Sequence, residues 1–237
     1  MSELPALRRV GHKGADHIAP GNTAASFDAA LAAGVDMIEF DVLPEDMHRP
    51  AESRLLLAHD YTHELAHALT LEEGLAHLAS LDVELDVDLK LPGYEARVVE
   101  ALRAHGLVDR VLISTTFMRS LVAVRELEPR LRLGWSIPRV RRDYTASWHT
   151  KLFAYAAIGR IRRRLPDSAR SHLAAGRCDA IMAHWRLVSP RLVETVRDAG
   201  GELYVWTVDD AKRIRRLEDL GVTGVITNDP RLFVTDR

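Results

Sequence analysis

Apolar positions along the chain switch repeatedly between two spacings. Short runs alternate apolar and polar residues, and longer stretches return to an apolar residue every three or four positions. The first pattern fits a strand with one face buried, the second a helix lying on a sheet. Strands are predicted over residues 8–12, 36–42, 82–90, 110–115, 132–137, 179–185, 203–208 and 224–227. Amphipathic helices are predicted over 22–33, 94–105, 117–128, 190–199 and 210–220. Gly34, Gly106, Gly200 and Gly221 stand where four of those helices should end, the usual place for a residue that turns left-handed.

Eight strands alternating with helices in 237 residues predict an α/β protein, a (β/α)8 or TIM barrel forming a single domain over residues 1–237. An open doubly wound sheet is the alternative. It usually has fewer strands, and Gly11-His12-Lys13-Gly14 does not fit the Gly-x-Gly-x-x-Gly spacing of a dinucleotide loop. The least regular part is the connection at about 139–176. Residues 139–170 hold nine Lys/Arg against two Asp, with Trp148, Phe153 and Tyr155 interleaved. Its plain reading is a longer connecting helix with a solvated basic face. Its sharper reading is a surface element that touches anionic lipid or covers the site.

Composition adds little beyond exclusions. Apolar residues make up 47% and charged residues 28%, ordinary for a globular chain. A formal charge of −2 gives no overall pull towards nucleic acid or membrane. The single cysteine, Cys178, leaves no disulfide framework and no thiolate metal cluster. With no apolar leader of signal-peptide length at the start, the expected location is the cytoplasm. Nothing in the composition bears on oligomeric state.

The strand pattern places chemistry. With a period of two, Glu39 and Asp41 point away from Ile38, Phe40 and Val42, so the carboxylates face the barrel axis. The third predicted strand repeats this, with Glu84, Asp86, Asp88 and Lys90 on the inner row. Two carboxylates about 4 Å apart repel by roughly 4 kcal/mol at an effective dielectric of about 20. Such a group must protonate, pair with a cation or bind a metal. For Glu84 and Asp86, deeper in the barrel, an ion-pair network with Lys90 and an arginine is expected. For Glu39, Asp41 and Asp88, at strand ends where barrel active sites form, a metal is expected, and all-oxygen ligation selects Mg²⁺ or Ca²⁺. His12 closes the first strand and His59 follows a short apolar run. Two histidines on opposite sides of a substrate can act as acid and base at neutral pH. Lys13 and Lys90 offer positive charge to an anionic substrate. The remaining histidines lack this convergence, although His17 lies close to the first turn.

Together these stretches resemble the glycerophosphodiester phosphodiesterase family. The matching motifs are His12 to Ala15 ("HKGA"), Pro20 to Thr23 ("PGNT"), Ile38 to Val42 ("IEFDV") and Ala58 to Asp60 ("AHD"). Asp88-Leu89-Lys90, "VWTVDD" from Val205 and "GVITNDP" from Gly224 follow in the family's order. The resemblance implies a divalent cation held by Glu39, Asp41 and Asp88, with His12 and His59 as the acid–base pair. It also implies that Lys13 and Lys90 hold the phosphate, that Trp206 lines the pocket, and that the substrate is a small glycerophosphodiester. Three residues depart from the family pattern: Lys13 stands for an arginine, Gly21 for a glutamate, and Asp88 for a glutamate. The aspartate is similar to that of the spider-venom-type sphingomyelinase D group, and the lid after His59 is short. A lysophospholipid substrate therefore stays open beside the soluble diester, as does a barrel that binds phosphorylated ligands without turnover.

Overall fold

The computed structural model describes residues 6–61, 65–138 and 148–233. Its strands are β1 (Arg8–Gly11), β2 (Met37–Pro44), β3 (Leu55–Leu57), β4 (Glu84–Leu89), β5 (Val111–Thr115), β6 (Arg132–Ile137), β7 (Ala180–His184), β8 (Glu202–Trp206) and β9 (Gly224–Thr227). The helices are α1 (Ala24–Ala32), α2 (Leu71–Ala79), α3 (Glu95–Ala104), α4 (Met118–Leu127), α5 (Trp148–Ala174), α6 (Pro190–Asp198) and α7 (Ala211–Leu220). All the strands except β3 are parallel, and β1 pairs with both β2 and β9, which closes an eight-stranded barrel. The predicted barrel is what the chain forms. Gly34, Gly106, Gly200 and Gly221 all take positive φ after their helices.

Two apolar layers hold it. Side chains such as Ile38, Phe40, Val87 and Ile113 pack outward beneath the helices and are fully buried. Inside the barrel, Val10, Met37, Leu112, Met182, Tyr204 and Ile226 form a second, smaller cluster. Below that plug the base is charged: Glu84 pairs with Arg8 and Arg132, and Arg132 reaches Glu202. The expected interior ion-pair network therefore exists for Glu84, with two arginines. Asp86 stands outside it, buried one level above, and Lys90 is engaged higher up.

One strand lies outside the sequence-based expectation. β2 outruns the barrel, and its last residues Val42, Leu43 and Pro44 pair antiparallel with Leu57, Leu56 and Leu55 of β3. Three leucines in a row carry no alternation, so the period-two pattern is silent there.

In the basic connection, residues 139–147 lie outside the described residues, as does His63. From Trp148 the chain forms one 27-residue helix, α5, with Pro166 inside it. Among the described residues no helix is long and apolar enough to cross a membrane.

Candidate active site

The carboxylates converge because β2 and β4 are neighbours in register. Glu39 lies opposite Asp86 and Asp41 opposite Asp88, so two acidic levels stack along the barrel axis. One ligand atom from each of Glu39, Asp41 and Asp88 falls within 4.8 Å of the other two. Glu39 and Asp41 are buried, and Asp88 is half-buried at the rim. Oxygen donors alone, this close and this enclosed, suit a hard divalent cation.

The electrostatics of the cluster point the same way. Burial, reinforced by Asp41, pushes the Glu39 carboxyl well above its ordinary range. Burial opposes the charge of Asp41 too, but Lys90 and His59 hold it well below. The Lys90 ammonium contacts both Asp41 and Asp88 (2.5 Å to Asp88 Oδ2), and these anions outweigh the cost of its own burial and raise its pKa. One lysine thus balances two carboxylates and leaves the third favouring its neutral form. A divalent ion at Glu39, Asp41 and Asp88 would let all three ionise. Asp86, one level deeper, is pushed up to about 8 by burial, with Asp88 adding to the effect.

The surrounding loops hold these groups from outside the strands. Thr23 caps α1 with a reciprocal bond to Ser26, and this fixes the preceding turn. In that turn Asn22 takes φ +60°, a left-handed conformation that asparagine tolerates. Its buried side chain donates to Asp41 Oδ2 at 2.9 Å and accepts from the Asp41 backbone N–H at 3.0 Å. The Lys13 backbone N–H donates to Glu39 Oε2 at 2.8 Å. Gly21 has a specific role: a Cβ there would meet Asp16 Oδ1 at 2.5 Å and Lys13 Cβ at 2.8 Å. Without one, Asp16 accepts the Gly21 N–H and pairs with the Lys13 ammonium, at 2.9 and 2.8 Å. The turn that lacks the family's glutamate is thus held by Asp16.

The histidines flank the acidic group. His12 Nε2 lies 3.9 Å from Glu39 Oε2, and its Nδ1 meets Asn228 Oδ1 at 2.6 Å. Burial lowers the His12 pKa, so the ring is neutral near pH 7. His59 is carried by the chain leaving β3, which folds back over β2, and its Nδ1–H donates to Asp41 Oδ2 at 3.2 Å. Its side chain is 53% exposed, against 18% for His12. Trp206 anchors its indole N–H on the Met182 carbonyl at 2.9 Å and packs edge-on to His184.

A cavity of about 580 Å³ opens at the C-terminal ends of the strands, lined by His12, Lys13, Glu39, His59, Asp88, Lys90 and Trp206 among others. Asp41 sits beneath its wall, fully buried. All eight residues singled out from the sequence thus meet at one mouth. His17 is exposed and lies outside the lining. Asn22, Asp16, Asn228 and Asp209 were missed. Three of them, Asn22, Asp209 and Asn228, lie inside motifs the sequence offers, but nothing in one chain marks their long-range partners.

The sequence profile of the Glycerophosphoryl diester phosphodiesterase family matches residues 12–43 and 58–232, most of the barrel and every residue of the site. The chain belongs to this family. A glycerophosphodiester phosphodiesterase of Caldanaerobacter subterraneus is 25% identical over 264 residues, covering 95% of each chain. Among solved structures, a glycerophosphodiester phosphodiesterase from Parabacteroides distasonis superposes with a TM-score of 0.72 at 19% identity, covering 94% of this chain and 92% of that one. An Oleispira antarctica phosphodiesterase, solved with the product sn-glycerol-3-phosphate, gives a TM-score of 0.68 at 20% identity and covers 94% of both.

Proposed function

We propose that the protein is a metal-dependent phosphodiesterase that hydrolyses glycerophosphodiesters to glycerol 3-phosphate and an alcohol. The observation that carries this reading is the acidic cluster of Glu39, Asp41 and Asp88 flanked by His12 and His59 at the mouth of one cavity. Membership of the phosphodiesterase family and the glycerol phosphate product of the Oleispira relative support the substrate class.

The two histidines divide the proton work by their partners. Asn228 donates its Nδ2 to Asp209 Oδ2 at 2.7 Å, so its amide oxygen is the atom that faces His12. An amide oxygen only accepts. The proton of His12 is therefore on Nδ1, and Nε2 presents a lone pair towards the acidic cluster. His12 Nε2 takes a proton from the attacking water as the new P–O bond forms. His59, oriented by its Nδ1–H bond to Asp41 Oδ2, supplies a proton from Nε2 to the departing alkoxide as the old P–O bond breaks. Water thus adds across the ester, and the histidines end with exchanged protonation, reset through solvent. Lys13 and Lys90 complement the phosphate charge from the cavity wall, and Trp206 bounds the glycerol side. Mg²⁺ or Ca²⁺ held by Glu39, Asp41 and Asp88 would polarise a phosphoryl oxygen.

Turnover of glycerophosphocholine and of a lysophospholipid, each with chelator and with metal added back, tests this proposal. Chelator-sensitive release of glycerol 3-phosphate from the soluble diester is expected. Faster cleavage of the lysolipid, or activity indifferent to chelator, would overturn it.

A further inference from the structure

The long helix α5 carries a group of charges that the active site does not use. Arg160, Ile161, Arg162, Arg163 and Arg164 are all exposed. Five consecutive helical residues span more than one full turn of 3.6, so no face of the helix is covered at that level. Below it Leu165 and Ala169 are buried against the barrel. Among the described residues none of these four arginines pairs with a carboxylate; Arg163 donates only to the Gly159 carbonyl, at 3.3 Å.

Their level relative to the catalytic mouth is fixed by an ion pair. Asp167 of α5 meets Arg191 at 2.7 Å, and Arg191 is the second residue of α6. Helix α6 starts at the C-terminal end of β7, the end where the cavity opens, so Asp167 is level with that rim. Helix α5 runs from the mouth towards the base, and Arg160 precedes Asp167 by seven residues, a rise of about 10 Å at 1.5 Å per residue. The arginines therefore sit at the rim or beyond it.

A ring of exposed arginines at the rim, with no carboxylate partner among the described residues, complements the phosphate headgroups of an anionic bilayer surface. We propose that the mouth-side part of α5 docks the enzyme on anionic membrane. The net charge of −2 makes this a local attraction, set by the ring alone.

Co-sedimentation of the full chain with phosphatidylcholine vesicles, with and without phosphatidylglycerol, at low and physiological salt, tests the proposal. One variant has Arg160, Arg162, Arg163 and Arg164 replaced by Gln; a control has exposed Arg215 and Arg216 of α7 replaced in the same way. Each basic residue near an anionic surface strengthens binding by roughly fivefold. The wild type should therefore prefer anionic vesicles by about tenfold or more, weakening with salt. The four-arginine variant should lose that preference while it keeps its circular dichroism and its turnover of glycerophosphocholine. The control should keep the preference. Equal binding to neutral vesicles, no binding at low salt, or a four-arginine variant that still prefers anionic vesicles would overturn the proposal. So would concentration-dependent self-association that this variant abolishes, since the surface would then meet a second copy of the chain.

Discussion

Asn228 and His12, 216 positions apart in the chain, meet at 2.6 Å through an amide oxygen and an imidazole nitrogen. The asparagine is itself held by Asp209, which accepts from both its side-chain and backbone N–H groups, at 2.7 and 2.8 Å. A neutral acceptor fixes the tautomer of His12 and adds no negative charge beside it. Burial lowers the pKa of His12 below the ordinary imidazole value, against the opposing pull of Asp41 and of the Asn228 bond.

The pH dependence follows from that pairing. A base works only when neutral, so the acid limb of kcat/KM should fall below the ordinary histidine value near 6.5. Asn228→Asp places a carboxylate against the ring, favours the imidazolium and should move that limb up by about one unit or more. The variant loses activity earlier on acidification. A pH–rate profile for both enzymes checks this, and an unmoved limb would mean that another group carries it.

His12→Ala and His59→Ala should each lower kcat by about 10²–10⁴-fold with little change in thermal stability. Both side chains line the cavity, and neither belongs to the apolar core. Steady-state kinetics beside thermal melts separates a chemical loss from a folding loss.

Asp88 is the ligand to change for the metal. It contacts Lys90 but supports no loop, whereas Asp41 also holds Asn22 and His59. Asp88→Asn should weaken divalent-ion binding by about tenfold or more, read by calorimetric titration of metal-stripped protein. Unchanged affinity would leave the cluster as a lysine-bridged charge network.

Gly21→Ala should cost about 1–3 kcal/mol through overpacking, because its Cβ would enter the space of Asp16. Removing the obstacle tests the cause. Combined with Asp16→Ala, the same substitution should cost less, the remainder coming from Lys13 Cβ at 2.8 Å, and the double-mutant cycle should be non-additive.

How much was legible follows from the range of each signal. The carboxylates of the acidic cluster could be read because alternation along a strand is local, and Ile38, Phe40 and Val42 mark the opposite face. Their convergence could be read as well, since β2 and β4 are successive barrel strands once the fold is known. The partners of those carboxylates could not. Asn22 reaches Asp41 through a left-handed turn, and Asn228 reaches His12 across the closure of β9 on β1. Lys90 was expected to balance the deeper Glu84. Its ammonium instead turns to the rim and bridges Asp41 and Asp88, a choice of direction that periodicity does not encode.

The short antiparallel strand β3 separates two kinds of completeness. The carboxylates come from the barrel wall and are in place once β2 and β4 have paired, whereas His59 arrives on an excursion held to that wall by three residue pairs. A chain can therefore own its full barrel and still lack one of the two histidines proposed to move protons. Heat or denaturant that opens only this excursion would extinguish turnover while circular dichroism still reported an intact barrel, and cooling would restore activity without refolding the protein.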